Sequence, residues 1–216
     1  MGAARFATIV GIGIGTCTLL SGCGGGERPA LSQTEAPSAT DWRSVVTDPD
    51  RERLREWRTA WIEALADARA AGKGAEVAAA GVLLEPDAAT GDPMPPTGDY
   101  RCQVTKVGAK SAGMLPFISY PPFLCRIAEV GGAARFEKVT GSQRPQGILY
   151  RDNGTRLVFL GSMVLGDERR ARPYGGDEQR DLAGFLERIA PARWRLVLPR
   201  PAWESKLDVL DIRPVT

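Results

Sequence analysis

The chain has 216 residues, with 28 basic against 26 acidic side chains, a formal net charge of +2 and 43% hydrophobic residues. A charge so near balance, with no long basic block, gives no electrostatic footprint for nucleic acid, and the apolar content suffices for a real core. Histidine is absent, which excludes a Ser-His-Asp triad, a Cys-His pair and a histidine-based zinc site.

The N-terminus has the plan of an export signal. Arg5 supplies a positive charge, and residues 6–20 form an uncharged, mostly apolar and small run. A spanning helix needs ~20 apolar residues, so this run is too short to cross a bilayer comfortably. It ends in Leu20-Ser21-Gly22-Cys23, which resembles the lipobox of bacterial lipoproteins: an aliphatic residue, two small residues and the cysteine that receives the lipid. Residues 1–22 are therefore expected to be a signal peptide and Cys23 the site of lipid attachment. Two or three acyl chains, at ~0.8 kcal/mol per buried methylene, make a stable anchor. The implied location is the periplasmic face of a bacterial envelope membrane. Gly24, standing where an Asp favours inner-membrane retention in enteric bacteria, points by that analogy to the outer membrane. Residues 23–40, rich in Gly, Pro, Ser, Thr and Ala without an apolar period, read as a flexible tether.

A single domain is expected over residues 41–216, helical over about 48–84 and β over about 98–214. Asp48 is placed to cap a first helix, with Pro49 in its first turn. Leu54, Trp57, Trp61, Leu65 and Ala68 recur at steps of three or four and give one apolar stripe. Gly72 and Gly74 end it, and residues 75–84 suggest a second, shorter helix. Pro86, Pro93, Pro95 and Pro96 then form a rigid connection.

From Tyr100 onward the period changes to two. Tyr100, Cys102 and Val104 share one face of a strand, as do Phe123, Cys125 and Ile127. An antiparallel hairpin across a loop at residues 108–113 would set Cys102 opposite Cys125, Tyr100 opposite Ile127 and Val104 opposite Phe123. In an oxidising compartment such a pair closes, so a Cys102–Cys125 disulfide is expected. Further strands are suggested at 135–140, 147–151, 155–165, 194–198 and 207–212, with Asp152-Asn153-Gly154 as a hairpin turn. In 155–165 both faces are apolar, so that strand is expected to be covered by the barrel interior on one side and the N-terminal helix on the other. Leu182, Phe185, Leu186 and Ile189 fit a helix, yet the Pro191 turn and Trp194–Leu198 equally suit a hairpin. The fold class expected is α+β, mainly β: a small antiparallel barrel or strongly curled sheet of about seven or eight strands, preceded by one or two helices.

Several segments resemble one known family. Gly98-Asp99-Tyr100-Arg101-Cys102, Phe123-Leu124-Cys125-Arg126-Ile127, the run from Phe136 to Arg144, Leu165-Gly166-Asp167-Glu168 and Arg193–Pro199 are similar to the bacterial envelope proteins grouped as domain of unknown function 4893. The resemblance spans roughly residues 41–215. It implies a shared fold and location, and it implies no reaction.

No GxSxG, SxxK or phosphate-binding loop occurs, and no cofactor or metal is called for. Ser142, Gln143 and Arg144 interrupt an apolar strand region, and Asp167, Glu168, Tyr174 and Asp177 lie in a polar, glycine-rich stretch. If these seven converge at one barrel end they would line a ligand mouth or partner surface; ordinary turn residues satisfying backbone groups would have the same composition. The leading expectation is a non-catalytic binding or envelope-interaction module, its partner an envelope protein or a small apolar ligand. A periplasmic protease inhibitor is the first alternative. A carboxylate-dependent glycan hydrolase, with Asp167, Glu168, Asp177 and Glu178 as the available candidates, is the second.

Overall fold

The computed structural model describes residues 41–215; the expected signal peptide, the expected tether and Cys23 lie outside them. The helical arm begins where Thr47, rather than Asp48, caps α1 (Asp48–Arg55), its Oγ1 accepting from the Asp50 N–H at 3.4 Å. Pro49 sits in the first turn, where its missing N–H costs nothing. The single expected helix is two, because Glu56 (φ −84°, ψ 6°) leaves the helical conformation before α2 (Trp57–Ala70). That break lets α1 lie on one part of the sheet and α2 on another. Gly72, at φ +80°, ends α2, while Gly74 opens α3 (Gly74–Ala80) instead of terminating its predecessor. The expected second helix at 75–84 is α3 followed by a 3₁₀ turn over Gly81–Leu84.

Nine strands follow: β1 (Gly98–Ala109), β2 (Phe117–Ser119), β3 (Phe123–Val130), β4 (Ala133–Lys138), β5 (Gln143–Asn153), β6 (Arg156–Leu165), β7 (Asp181–Ala190), β8 (Arg193–Pro199) and β9 (Ser205–Pro214). From β3 to β9 each pairs antiparallel with the next, β3 pairs with β1, and β9 returns to β1 over Tyr100 to Ala109. The result is a closed eight-stranded antiparallel barrel with one extra strand, as the alternating pattern led one to expect. β1 outreaches β3, and β2 occupies the remaining edge by pairing with Thr105, Lys106 and Val107.

Inward residues form one continuous interior, among them Tyr100, Ile127, Phe136, Leu157, Phe159, Leu196 and Ile212. Cys102 and Cys125 are disulfide-bonded within it, with Cα atoms 5.9 Å apart. The register differs from the hairpin expected by two residues: Tyr100 stands opposite Cys125, and Cys102 opposite Phe123. A slip of two keeps every side chain on its face, so the bridge forms diagonally and the apolar side stays inside. The segment 182–189 resolves as strand β7, paired with β8. Its helix-like spacing arises because both faces are buried: Leu182 and Leu186 point inward, while Ala183, Phe185 and Ile189 face outward under the helical arm. β6 behaves likewise, with Leu157, Phe159 and Met163 inside and Val158 and Leu160 packed with Val46 and Leu54 outside.

Two features fix the shape. Gly147 and Gly161 face each other across β5 and β6 with the Phe159 ring against both. A Cβ at Gly161 would stand 2.2 Å from the Gln146 carbonyl oxygen, so only glycine allows this close approach. On the outer side, Arg195 is fully buried beneath the arm. It pairs with Glu187, lies against the Trp61 ring, and donates to the carbonyls of Val82, Leu83, Glu85 and Pro86.

Candidate functional site

The strand directions give the barrel two unlike ends. One is closed by short turns at 131–132, 154–155 and 191–192; at the other lie the longer connections 110–122, 139–142, 166–180 and 200–204. Binding residues on barrels concentrate on such loops, which a rigid sheet positions. All seven candidate residues lie at this second end, in or beside the β4–β5 and β6–β7 connections.

They divide by what they touch. Ser142 and Gln143 line a cavity that opens at this end. Arg144 braces two loops, donating to the carbonyls of Gly141 and Gly166 at 2.7 Å and of Glu168 at 2.6 Å. The Glu168 carboxylate accepts from Arg180 and from the Leu165 N–H, and the Arg180 hydrogen bond holds its pKa below the ordinary carboxylate value. Asp167 is exposed. The Tyr174 hydroxyl donates to Asp50 at 2.7 Å and accepts from the Thr47 N–H, tying the long loop to the start of α1. Burial, then Asp50, pushes that phenol well above its usual pKa. Asp177 accepts from the Gln179 N–H and from Arg172 within its own turn.

The cavity has a volume of about 340 Å³. Val104, Phe123, Pro145, Met163, Leu198 and Leu210 form its apolar wall. Four charged residues that the sequence reading passed over also line it: Lys106 on β1, Lys138 on β4, Glu204 in the β8–β9 connection and Asp208 on β9. Each of the three strand residues occupies an inward position of an alternating strand, in step with Val104, Phe136 and Leu210 respectively. A charge at such a position was the available signal.

The two lysines have different company. Lys106 Nζ lies 2.9 Å from Asp208 Oδ2 and 3.3 Å from Glu204 Oε2. Burial disfavours its ammonium, but the two carboxylates outweigh that, and its pKa lies above the ordinary value. Asp208 is enclosed, and burial pushes its carboxyl upward against the pull of Lys106 and of the Ser205 hydroxyl that donates to its other oxygen. With both oxygens engaged by donors, we take Asp208 as the anionic half of an ion pair. Lys138 is only 2% exposed. Its ammonium donates to the carbonyls of Thr140 and Gln143, each at 2.8 Å, and lies 3.6 Å from the centre of the Phe123 ring. The charges acting on it are those of Arg144 and Lys106, both positive; burial first, then these two, bring its pKa down to about 8. Gly141, at φ +91°, packs closely against this group: a Cβ there would stand 2.7 Å from Nζ and 2.8 Å from the Phe123 ring.

No curated protein and no solved structure matches the chain. Residues 42–212 match the family described as a domain of unknown function (DUF4893), and this barrel with its helical arm belongs to that family.

Proposed function

We propose that the protein is a non-catalytic binding module of the bacterial envelope, held to the membrane by lipid on Cys23, whose barrel takes up a small, largely apolar molecule. The observation that carries this reading is the cavity at the loop-bearing end, with apolar walls and a few convergent polar groups. Its volume falls at the small end of the roughly 300–1,000 Å³ usual for ligand sites. The location is supported by the order of charge, apolar run, lipobox-like box and tether at the N-terminus. The carboxylates named for glycan hydrolysis give that alternative little support: Asp167 and Glu178 are exposed, Glu168 is engaged by Arg180 and Asp177 by Arg172, and none of the four lines the cavity.

Native mass spectrometry of the full chain, extracted from the envelope in mild detergent without delipidation, tests the reading. Extra non-covalent mass, released on denaturation and reduced when Met163→Trp fills the cavity, is expected. A clean polypeptide mass, together with no binding of small apolar probes, would reject it.

A further inference from the structure

The cavity carries an unequal charge arrangement that bears on what it binds. Lys106 is matched by Asp208 and Glu204. Lys138 is as deeply placed, but what surrounds it is two carbonyl oxygens and an aromatic ring. These groups fix the ammonium in position and cancel none of its charge. A buried charge without a counter-charge is costly, and this one lines a cavity rather than packed side chains. The Gln143 side chain donates to Glu204 at 3.0 Å, so that carboxylate is turned toward Gln143 and Lys106.

We propose that Lys138 anchors the acidic head of a short-chain monocarboxylate, whose alkyl part lies against Val104, Phe123, Met163 and Leu210. The proposal rests on the reading of the barrel as a ligand-binding module. A singly charged head suits the site: among the described residues one ammonium lacks an acidic partner, whereas a phosphate dianion would bring a second charge into a cavity that Glu204 and Asp208 also line. Ser142 lies at the same rim and offers a hydroxyl. A low pKa for the free lysine agrees with a site whose counter-charge arrives with the ligand.

Hexanoate and its uncharged analogue hexanamide separate the possibilities. Their affinities for the full chain in mild detergent, near neutral pH, are read by ligand-observed NMR titration. A charge-assisted contact predicts that hexanoate binds about tenfold or more tightly than hexanamide. Lys138→Met should abolish that preference by lowering hexanoate affinity far more than that of hexanamide, while Lys138→Arg, which keeps the charge, should retain much of it. A lysine that merely braces the β4–β5 turn would move both probes together. Equal affinities in the unmodified protein, or a preference that survives Lys138→Met, would overturn the anchor role and leave the binding module standing. Failure of both probes to bind the unmodified protein would remove the module and the anchor together. If Lys138→Met does not fold, the comparison of the two probes on the unmodified protein still decides.

Discussion

Lys138 shows how one residue sets stability and function against each other. The folded protein holds its ammonium inside the barrel, and burial brings the pKa to about 8 from an ordinary 10.5. Between those values the unfolded chain binds more protons than the folded one, so stability rises with pH across that window. A difference of this size corresponds to at most roughly 3 kcal/mol. Urea unfolding at pH 7 and pH 10 should therefore show the unmodified domain gaining about 1–3 kcal/mol relative to Lys138→Met as pH rises. A constant difference between the two proteins would mean that the charge carries no such cost. The residue was readable in principle. Phe136 and Lys138 keep the period of two on the inward face, so a lysine in step with a core phenylalanine is the signal. What no pattern conveys is that Lys106 meets Asp208, 102 positions away, whereas Lys138 meets no acid among the described residues.

Among the elements, those with one buried face were legible; of the strands buried on both faces, β6 was legible after its Asn153-Gly154 turn and β7 was ambiguous. The stripe from Leu54 to Ala68 announced the helices, and Tyr100, Cys102 and Val104 announced β1. β7 looked as much like a helix because the arm covers its outer side, and period alone does not separate a doubly buried strand from a helix. Glu56 carries no breaker signal, so the bend between α1 and α2 was invisible; it is set by the need of α1 and α2 to follow different strands. The arm is held to the barrel most directly by Arg195. Replacing it with Met strands the buried Glu187 with Arg156 alone and leaves four carbonyls without their donor. The expected cost is about 3–5 kcal/mol, with faster amide exchange in residues 81–86. Arg200 also reaches the arm, at Glu56 and Glu63, but its side chain is 36% exposed. Arg200→Met should cost no more than about 1 kcal/mol. Equal losses for the two variants in urea unfolding would show that burial of the Arg195 cluster has no special weight.

At the scale of the whole molecule, closure is the feature the local pattern conveys least. Counting strands leads to a barrel or a curled sheet, and the choice depends on β1 meeting β9 across a hundred residues of chain, for which no local signal exists. Closure leaves few exposed strand edges and two unlike ends, and the end with long connections carries the cavity. Among the described residues no helix is long and apolar enough to cross a bilayer. The attachment proposed above is the lipid on Cys23. Residues 24–40 would span at most ~60 Å if fully extended, enough to set the binding end well clear of the headgroups. The test is metabolic labelling with an alkyne fatty acid in a bacterial host. The unmodified protein and Cys17→Ala should both take up label and sediment with membranes through high-salt washing. Cys23→Ala should take up none, while a signal-deleted form beginning at Gly24 should remain soluble and still prefer hexanoate to hexanamide. Label on Cys23→Ala, or its absence from the unmodified protein, would detach the barrel from this anchor; the cavity and its unpaired lysine would then require a different route to their ligand.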